Sequence, residues 1–402
     1  MKTLSFLCIA SYFKGQDFLR SLKREGCLVY LVTAKGLEGK AWPWEAIDET
    51  FYVEETARGQ WDLDQVATGL AYVMRHRRID RIAALDDFDV EKATFLREHF
   101  RIPGMGQTTG RYFRDKLAMR MKATEAGIRV PSFSALFHDA DIHDFTQRVA
   151  PPWVVKPRTE ASAAGIQKVH SAEELWPVLE KLGDERHWYL IEQFKPGDVY
   201  HVDGLSMDNQ ILFSRASQYL STPMEVAHGG GIFRSCTAAF GSREDKALQK
   251  LNAAVMKAFH MRYSAFHSEY IQSKEDGQFY FLETASRVGG ANLAEMVEFS
   301  SGINLWGEWA RIEVAVARGA PYQLPPVRHD CAGIVISLCR HPQPDYALFT
   351  DEEVVWKLNL DHHIGFIFRS GQRERVTELL DQYTRRIQTD FHASAPAREK
   401  SS

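Results

Sequence analysis

Two glutamates lie on strand-like segments on either side of an acidic turn. The segments 266–272 and 278–285 flank a turn centred on Asp276, as in a hairpin. Pairing that is symmetric about Asp276 would place Glu269 opposite Glu283, with both side chains on one face. Two carboxylates about 5 Å apart repel by roughly 3 kcal/mol at an effective dielectric of about 20, so a cation is expected between them. A hard divalent ion such as Mg²⁺ suits this all-oxygen site, whereas a register shift that exposes one glutamate is the alternative.

An arginine and two glycines follow the second of these glutamates. Arg287 precedes Gly289 and Gly290, and a helical pattern begins at Leu293. A helix N-terminus beside glycines can bind an anion through its backbone N–H groups. The planar guanidinium group of an arginine can donate hydrogen bonds to a phosphoryl or carboxylate oxygen. We therefore predict that Arg287 is a catalytic residue and that Gly290 belongs to the substrate site.

A lysine ends another segment with the features of a phosphate site. Lys156 lies at the end of the apolar strand that begins at Trp153, and a loop of small residues from Ser162 to Gly165 follows. One ammonium group and several backbone N–H groups can together hold a polyphosphate. The pattern predicts a phosphate site at Lys156, which is also a predicted catalytic residue, whereas an ordinary hairpin with a lysine at its edge is the alternative.

An apolar strand over 189–193 runs into a turn that reaches Gly197. A flat heterocycle can lie on such a strand, with Glu192 or Asp198 accepting hydrogen bonds from its amino or hydroxyl groups. A core strand followed by a turn is the alternative.

A glycine-rich loop over 221–234 lies between this strand and the two glutamates in the sequence. The loop is long enough to cover a substrate, and Arg234 would then bind the substrate carboxylate. A mobile loop whose arginine is solvated is the alternative.

The elements that position these residues begin with alternating strands and helices. The predicted strands are 4–10, 27–33, 50–53 and 82–85, and the predicted helices are 17–24, 63–76 and 90–99. This alternation predicts a parallel sheet. The acidic stretch 86–89 follows the last strand, at an edge where ligands often bind, and a solvated loop with a helix cap is the alternative. The sequence has no Gly-x-Gly-x-x-Gly and no Walker loop, which argues against a nicotinamide enzyme or a P-loop protein.

The sequence divides into four parts. Residues 1–110 are the predicted sheet domain, 111–320 a less regular α/β region, 327–392 a small α+β part and 393–402 a disordered tail. The proline-rich segment 321–326 is the predicted boundary before the third part. Within the second part, Asp115 and Ser171 are predicted to cap helices.

The composition is that of an average soluble globular protein. Of 402 residues, 45% are apolar and 25% are charged, and 49 Lys and Arg against 53 Asp and Glu give a net charge of -4. The sequence therefore offers no basic field for nucleic acid or an anionic membrane, and it has no apolar run of membrane-spanning length. Five cysteines without a Cys-x-x-Cys pair argue against a disulfide framework. We expect a cytoplasmic protein with no nucleic-acid or membrane partner.

The motifs, taken in order, resemble those of the ATP-grasp superfamily of ATP-dependent carboxylate ligases. They are Arg114-Asp115-Lys116, Trp153-Val154-Val155-Lys156-Pro157, Ile191-Glu192-Gln193-Phe194 with Gly197, Glu269, and Glu283-Thr284-Ala285-Ser286-Arg287-Val288-Gly289-Gly290. The resemblance covers about residues 1–320. It implies an α/β fold with an N-terminal parallel-sheet (pre-ATP-grasp) domain, an ATP-grasp domain of two α+β subdomains and a small C-terminal α+β part.

The resemblance also implies roles for individual residues. The implied ATP contacts are Lys116, Lys156, Ser162, Gly165, Glu192, Gln193, Phe194 and Asp198. The two lysines would contact the phosphates, the small-residue loop would cover them, and the segment from Glu192 would hold adenine. Glu269 and Glu283 would bind magnesium, with two ions expected, and Arg287 would steady the transferring phosphoryl group.

Two positions depart from the pattern of the family. Many members carry an acidic residue for the ribose seven positions after the glutamate of the adenine segment, where this chain has Val199 beside Asp198. Many also carry an asparagine ligand two positions after the second metal glutamate, where this chain has Ala285. Water or a bidentate Glu283 would then complete the metal shell.

The family resemblance implies a ligase that activates a carboxylate as an acyl phosphate and joins it to an amine. The alternatives are activation of a small acid, as in biotin carboxylases or purine synthesis, and ATP binding without turnover. The expected partners are a small carboxylate and a small amine, and a homodimer is the default assembly. The sequence does not identify the acid, the amine or the general base.

Overall fold

The N-terminal residues form a four-stranded parallel sheet. The computed structural model describes residues 3–56, 59–161, 163–222, 224–226 and 230–394. The first sheet contains β1 (Ser5–Ala10), β2 (Leu28–Ala34), β3 (Glu49–Val53) and β4 (Arg81–Ala84), in the order β3-β2-β1-β4. The associated helices are α1 (Gln16–Arg24), α2 (Leu63–Val73) and α3 (Val90–Phe100). All neighbouring strands run parallel, which confirms the predicted sheet.

A four-stranded antiparallel sheet follows. Its elements in chain order are α4 (Gln107–Arg111), α5 (Lys116–Glu125), β5 (Phe133–Ala135), α6 (Asp139–Arg148), β6 (Trp153–Pro157), β7 (Gln167–Val169), α7 (Ala172–Leu182) and β8 (Tyr189–Gln193). The strand order is β5-β8-β6-β7. Asp115 caps α5 as predicted, because its carboxylate accepts hydrogen bonds from the N–H groups of Leu117 and Ala118.

The remaining strands form an eight-stranded antiparallel sheet. Its strands are β9 (Gly197–Met207), β10 (Gln210–Tyr219), β11 (Phe233–Thr237), β12 (Ser264–Ser273), β13 (Phe279–Ala285), β14 (Cys331–Leu338), β15 (Val354–Lys357) and β16 (His363–Ser370). The accompanying helices are α8 (Arg243–Ala258), α9 (Leu293–Ser301), α10 (Leu305–Arg318) and α11 (Arg373–Asp390). The strand order is β13-β12-β9-β10-β11-β14-β16-β15, so β14 to β16 extend the sheet that contains the predicted glutamate hairpin.

The parallel sheet packs against α10, and this contact sets its position relative to the hairpin. The ring centroids of Phe18 in α1 and Trp309 in α10 lie 4.5 Å apart. Both residues belong to a buried apolar cluster that also contains Leu85, directly after β4, and Val288, shortly after β13. The cluster therefore holds the end of β4 close to the segment that carries Arg287.

No helix in the described ranges combines the length and the apolar character that crossing a bilayer requires. The five cysteines are buried and unpaired. Burial raises the pKa of the Cys236 thiol to about 12, so this thiol stays protonated at neutral pH.

Candidate active site

A cavity of about 380 Å³ lies between the two antiparallel sheets. Residues of β6, β8, β9, β12 and β13 line it, together with the first residue of α5. The predicted site residues in this lining are Lys116, Lys156, Glu192, Gln193, Phe194, Glu269 and Glu283. The fold therefore brings to one cavity motifs that are widely separated in the sequence.

The two glutamates of the hairpin stand opposite each other. Glu269 of β12 is the register partner of Glu283 of β13, which confirms the predicted pairing. A β-bulge follows directly after Glu269, and from there Tyr270 pairs with Phe281. The irregularity lies on the turn side of the glutamate pair, so it leaves the two carboxylates on one face.

Glu283 is held by a lysine. Lys116 Nζ lies 2.7 Å from Glu283 Oε2 and donates a second hydrogen bond to the carbonyl oxygen of Glu160 at 2.6 Å. Burial would raise the pKa of Glu283, but the positive charge and the hydrogen bond of Lys116 outweigh burial and lower this pKa to about 2. Glu283 is therefore a carboxylate at any physiological pH.

Glu269 is held through its Oε1 oxygen. The Tyr219 hydroxyl donates to Glu269 Oε1 at 2.9 Å, and His267 Nε2 lies 3.4 Å from the same oxygen. Among the described residues, none forms a hydrogen bond with Glu269 Oε2. Burial and the neighbouring carboxylate of Glu269 raise the pKa of Tyr219 well above its ordinary value, so the phenol remains a donor.

A buried network that the sequence analysis missed supports Glu269. Asp203 accepts from His267 Nδ1 at 2.8 Å and lies 2.6 Å from His201 Nδ1, whose Nε2 is 2.7 Å from Ser235 Oγ. The two histidines lower the pKa of Asp203 despite its burial. Burial lowers the pKa of His267, but Asp203 more than offsets this and raises it to about 9. The network could have been suspected from the i, i+2 spacing of His201 and Asp203, which places both side chains on one face of a strand.

Glu192 is the centre of a second buried charge cluster. Its Oε1 accepts from Lys156, and its Oε2 accepts from Arg120 Nε at 3.0 Å and Nη2 at 2.8 Å. Burial would raise the pKa of Glu192, but Arg120 and Lys156 lower it. Burial lowers the pKa of Lys156 to about 8 even though Glu192 opposes that shift. Arg120 was not predicted, although it lies four residues after Lys116 on the same face of α5.

The segment from Glu192 to Asp198, which is predicted to hold adenine, lies partly in the cavity. Phe194 lines it, and Lys168 Nζ lies 3.7 Å from the centre of the Phe194 ring. Asp198 lies outside the lining, although its neighbour Val199 is part of it. The Asp198 side chain is half exposed and lies 3.7 Å from Lys274 Nζ. Its contact with ATP stays a prediction.

The small-residue loop borders the cavity through Ala164, and Ile166, directly after the loop, also lines the cavity. Gly165, between them, has a φ of +68°, a left-handed conformation that favours glycine. The predicted ATP contact at Ser162 falls outside the described residues. The contact at Gly165 stays a prediction.

Arg287 contacts the parallel-sheet domain. Its Nη2 lies 3.3 Å from Asp87 Oδ2, and its Nη1 donates to the carbonyl oxygen of Val288 at 3.1 Å. Burial lowers the pKa of Arg287, but Asp87 and Asp86 more than compensate, so the guanidinium stays charged. Asp86 in turn pairs with Lys14. The acidic stretch after β4 therefore faces the predicted catalytic arginine.

The two predicted substrate residues lie in different surroundings. A side chain at Gly290 would meet no atom of the described residues within 4 Å. Arg234 lies outside the cavity lining, and its Nη1 is 2.9 Å from Asp381 Oδ1 of α11. Substrate binding by either residue stays a prediction.

The donor set suits a hard divalent cation. Glu269 and Glu283 present opposed carboxylates, and Oε2 of Glu269 is without a hydrogen-bond partner in the described part of the chain. Oxygen ligands of this kind are those that Mg²⁺ prefers, and the adjoining cavity has room for the phosphates that complete its coordination.

The chain is similar to known ligases. No family model matches it. It is 26% identical over 276 residues to an L-arginine-specific L-amino acid ligase of Bacillus subtilis, an alignment that covers 66% of this chain and 64% of that protein. It is 30% identical over 156 residues to a D-alanine–D-alanine ligase of Chlorobaculum parvum, covering 37% of this chain and 38% of that protein. The chain thus spans less than two thirds of the length of these relatives.

A solved structure shares the whole architecture. The crystal structure of L-amino acid ligase from Bacillus licheniformis matches with a TM-score of 0.75 at 16% identity, and the match covers 98% of both chains. At this identity the likeness shows the fold, which confirms the predicted mixed α/β architecture. The chain therefore shares its fold with an L-amino acid ligase and is similar in sequence to two kinds of amino-acid ligase.

Proposed function

We propose that this protein is an ATP-dependent ligase that activates a carboxylate as an acyl phosphate and joins it to an amine. The observation that carries the proposal is the opposed pair Glu269 and Glu283 in one cavity with Lys116 and Lys156. The names of the similar ligases support amino acids as the class of both substrates.

ATP would lie in the cavity between the antiparallel sheets. Lys116 and Lys156 would bind its phosphates, and the strand that ends in Gln193 and Phe194 would hold the adenine. Because Arg120 already occupies one oxygen of Glu192, Lys156 shares Glu192 with a second cation and can turn its ammonium group toward phosphate.

Glu269 and Glu283 would hold magnesium, with two ions proposed. When bound, magnesium neutralises charge on the phosphate oxygens and orients them for in-line transfer. Arg287 would donate to the transferring phosphoryl group, and Asp87 would fix the direction of its guanidinium.

The reaction needs no nucleophile from the protein. An oxygen of the substrate carboxylate attacks the γ-phosphorus, the bond from that phosphorus to the β,γ-bridging oxygen breaks, and ADP leaves. The amine then attacks the acyl carbon, the bond to the phosphate oxygen breaks, and phosphate leaves as the nitrogen gives up a proton. The residues of this site therefore act by positioning and by stabilising charge.

The test is ADP and phosphate release with ATP and Mg²⁺ across single and paired amino acids, short acids and bicarbonate. We expect release that depends on one amino acid and rises with a second, with the dipeptide identified by mass spectrometry. Release with bicarbonate alone would instead indicate activation of a small acid. Tight ATP binding without release for any acid would contradict the ligase proposal.

A further inference from the structure

A histidine stands beside the two predicted magnesium ligands. His267 pairs with Ala285 across the hairpin, two positions from the pair of Glu269 and Glu283. Residues two positions apart on a strand share a face, so His267 lies on the face of both carboxylates. Its register partner, Ala285, offers no donor atom at the position where the family often has an asparagine ligand.

The hydrogen bonds of His267 determine which ring nitrogen is available. Nδ1 is 2.8 Å from Asp203 Oδ1, and Asp203 is fixed from its other side by His201 at 2.6 Å. A histidine that binds a metal commonly donates its other ring N–H to a carboxylate in this way. The arrangement leaves Nε2 directed toward Glu269.

The distance from Nε2 to Glu269 suits two ligands of one ion. The separation of His267 Nε2 and Glu269 Oε1 is 3.4 Å, which is long for a hydrogen bond to a carboxylate. Two atoms that each lie about 2.1 Å from an octahedral ion are about 3 Å apart when adjacent, and somewhat more when the angle opens. The contacts of 2.6 and 2.8 Å around Asp203 are instead hydrogen bonds with no room for an ion.

We propose that His267 Nε2 is a nitrogen ligand of the divalent cation, alongside Glu269 and Glu283, in place of the amide oxygen that Ala285 lacks. The inference rests on the proposed function of the two glutamates. The N–H at Nδ1 of His267 continues to donate to Asp203. The ion binds Nε2 in place of a proton. An imidazole nitrogen binds transition-metal ions more strongly than it binds Mg²⁺. The ratio of Mn²⁺ affinity to Mg²⁺ affinity is therefore higher at this site than at an all-oxygen site.

Pulsed electron paramagnetic resonance of Mn²⁺ bound to the full chain with ATP tests this directly. A coordinated imidazole gives nitrogen modulation of the Mn²⁺ echo, which we expect in the unmodified protein. His267→Gln can still bond to Asp203, so it should fold, lose the modulation and weaken Mn²⁺ binding about 10-fold to 100-fold. His201→Gln is the matched control from the same network, and it should keep the modulation.

Ala285→Asn in the His267→Gln background supplies an amide oxygen at the opposed position. This double variant should recover Mn²⁺ affinity without nitrogen modulation. Bound Mn²⁺ without modulation in the unmodified protein, or modulation that survives His267→Gln, would overturn the inference. The proposed function is tested separately, by loss of Mn²⁺ binding in Glu283→Gln and by turnover with amino acids. Its failure can therefore be distinguished from failure of this inference.

Discussion

Lys116 Nζ lies 2.7 Å from Glu283 Oε2, so one lysine neutralises a carboxylate that is otherwise suited to a metal ion. The same ammonium group is bound to the carbonyl oxygen of Glu160, in the segment that leads into the small-residue loop. Lys116 therefore links the loop to the glutamate hairpin. When phosphate and a cation enter, Lys116 can bind phosphate while the cation takes over the charge of Glu283.

Glu283→Gln should lower kcat/KM for ATP by about 100-fold or more, because it removes a charge that the transition state needs. An amide can still accept a hydrogen bond from Lys116, so the fold should persist, as circular dichroism would check. Glu275→Gln, in the exposed hairpin turn where Glu275 pairs with Lys195, is the control that should retain activity. Full activity of Glu283→Gln would refute the metal assignment.

The affinity for ATP should fall at alkaline pH. The pKa of Lys156 is lowered to about 8, chiefly by burial, so its ammonium group is charged below pH 8 and neutral above it. If only the charged form binds phosphate, KM for ATP rises about fivefold between pH 8 and pH 9. Lys156→Arg keeps its charge throughout this range, so its KM should be nearly independent of pH. A flat profile in the unmodified protein would contradict this role.

The stability of the parallel-sheet domain should depend on pH because of the Asp89 carboxyl group. Burial raises the pKa of this carboxyl to about 6, although Lys92 and hydrogen bonds from Ser11 oppose the shift. Since the folded-state pKa exceeds the unfolded value of 3.8, the folded chain binds more protons between about pH 4 and pH 6. The contribution of this group to stability is present below that window and is lost as the pH rises through it.

Asp89→Asn does not titrate, so its free energy of unfolding relative to the unmodified protein should rise by about 2 kcal/mol between pH 4 and pH 6.5. Urea denaturation at a series of pH values measures this difference. A difference between the two proteins that stays constant over this range would show that Asp89 is not perturbed.

The features of the fold and the site that depend on local sequence pattern could be predicted from the sequence. The parallel strands follow from alternation of apolar segments, and the pairing of Glu269 with Glu283 follows from their equal distance from the turn. The bulge after Glu269 does not disturb that pair, because the extra residue lies between the pair and the turn.

The contacts that were missed depend on strand order and domain packing. Asp203 meets His267 because β9 lies between β10 and β12, an order that the sequence does not reveal. Asp87 meets Arg287 across 200 positions because the parallel sheet packs against α10. Such long-range contacts cannot be predicted from local sequence spacing. Arg120 could have been predicted, because it lies four residues after Lys116 on one helix.

Gly289 should be essential for the network behind Glu269. A Cβ atom at this position would lie 2.5 Å from Asp203 Oδ1 and 3.1 Å from His267 Nδ1, and Asp203 cannot withdraw because His201 holds its other oxygen. Gly289→Ala should therefore cost about 1–3 kcal/mol in the free energy of unfolding. It should also raise the Mg²⁺ concentration for half-maximal activity about tenfold, since His267 is displaced. Gly290→Ala, whose Cβ would meet no atom of the described residues within 4 Å, is the control for stability. If both variants unfold alike, the network is not tightly packed.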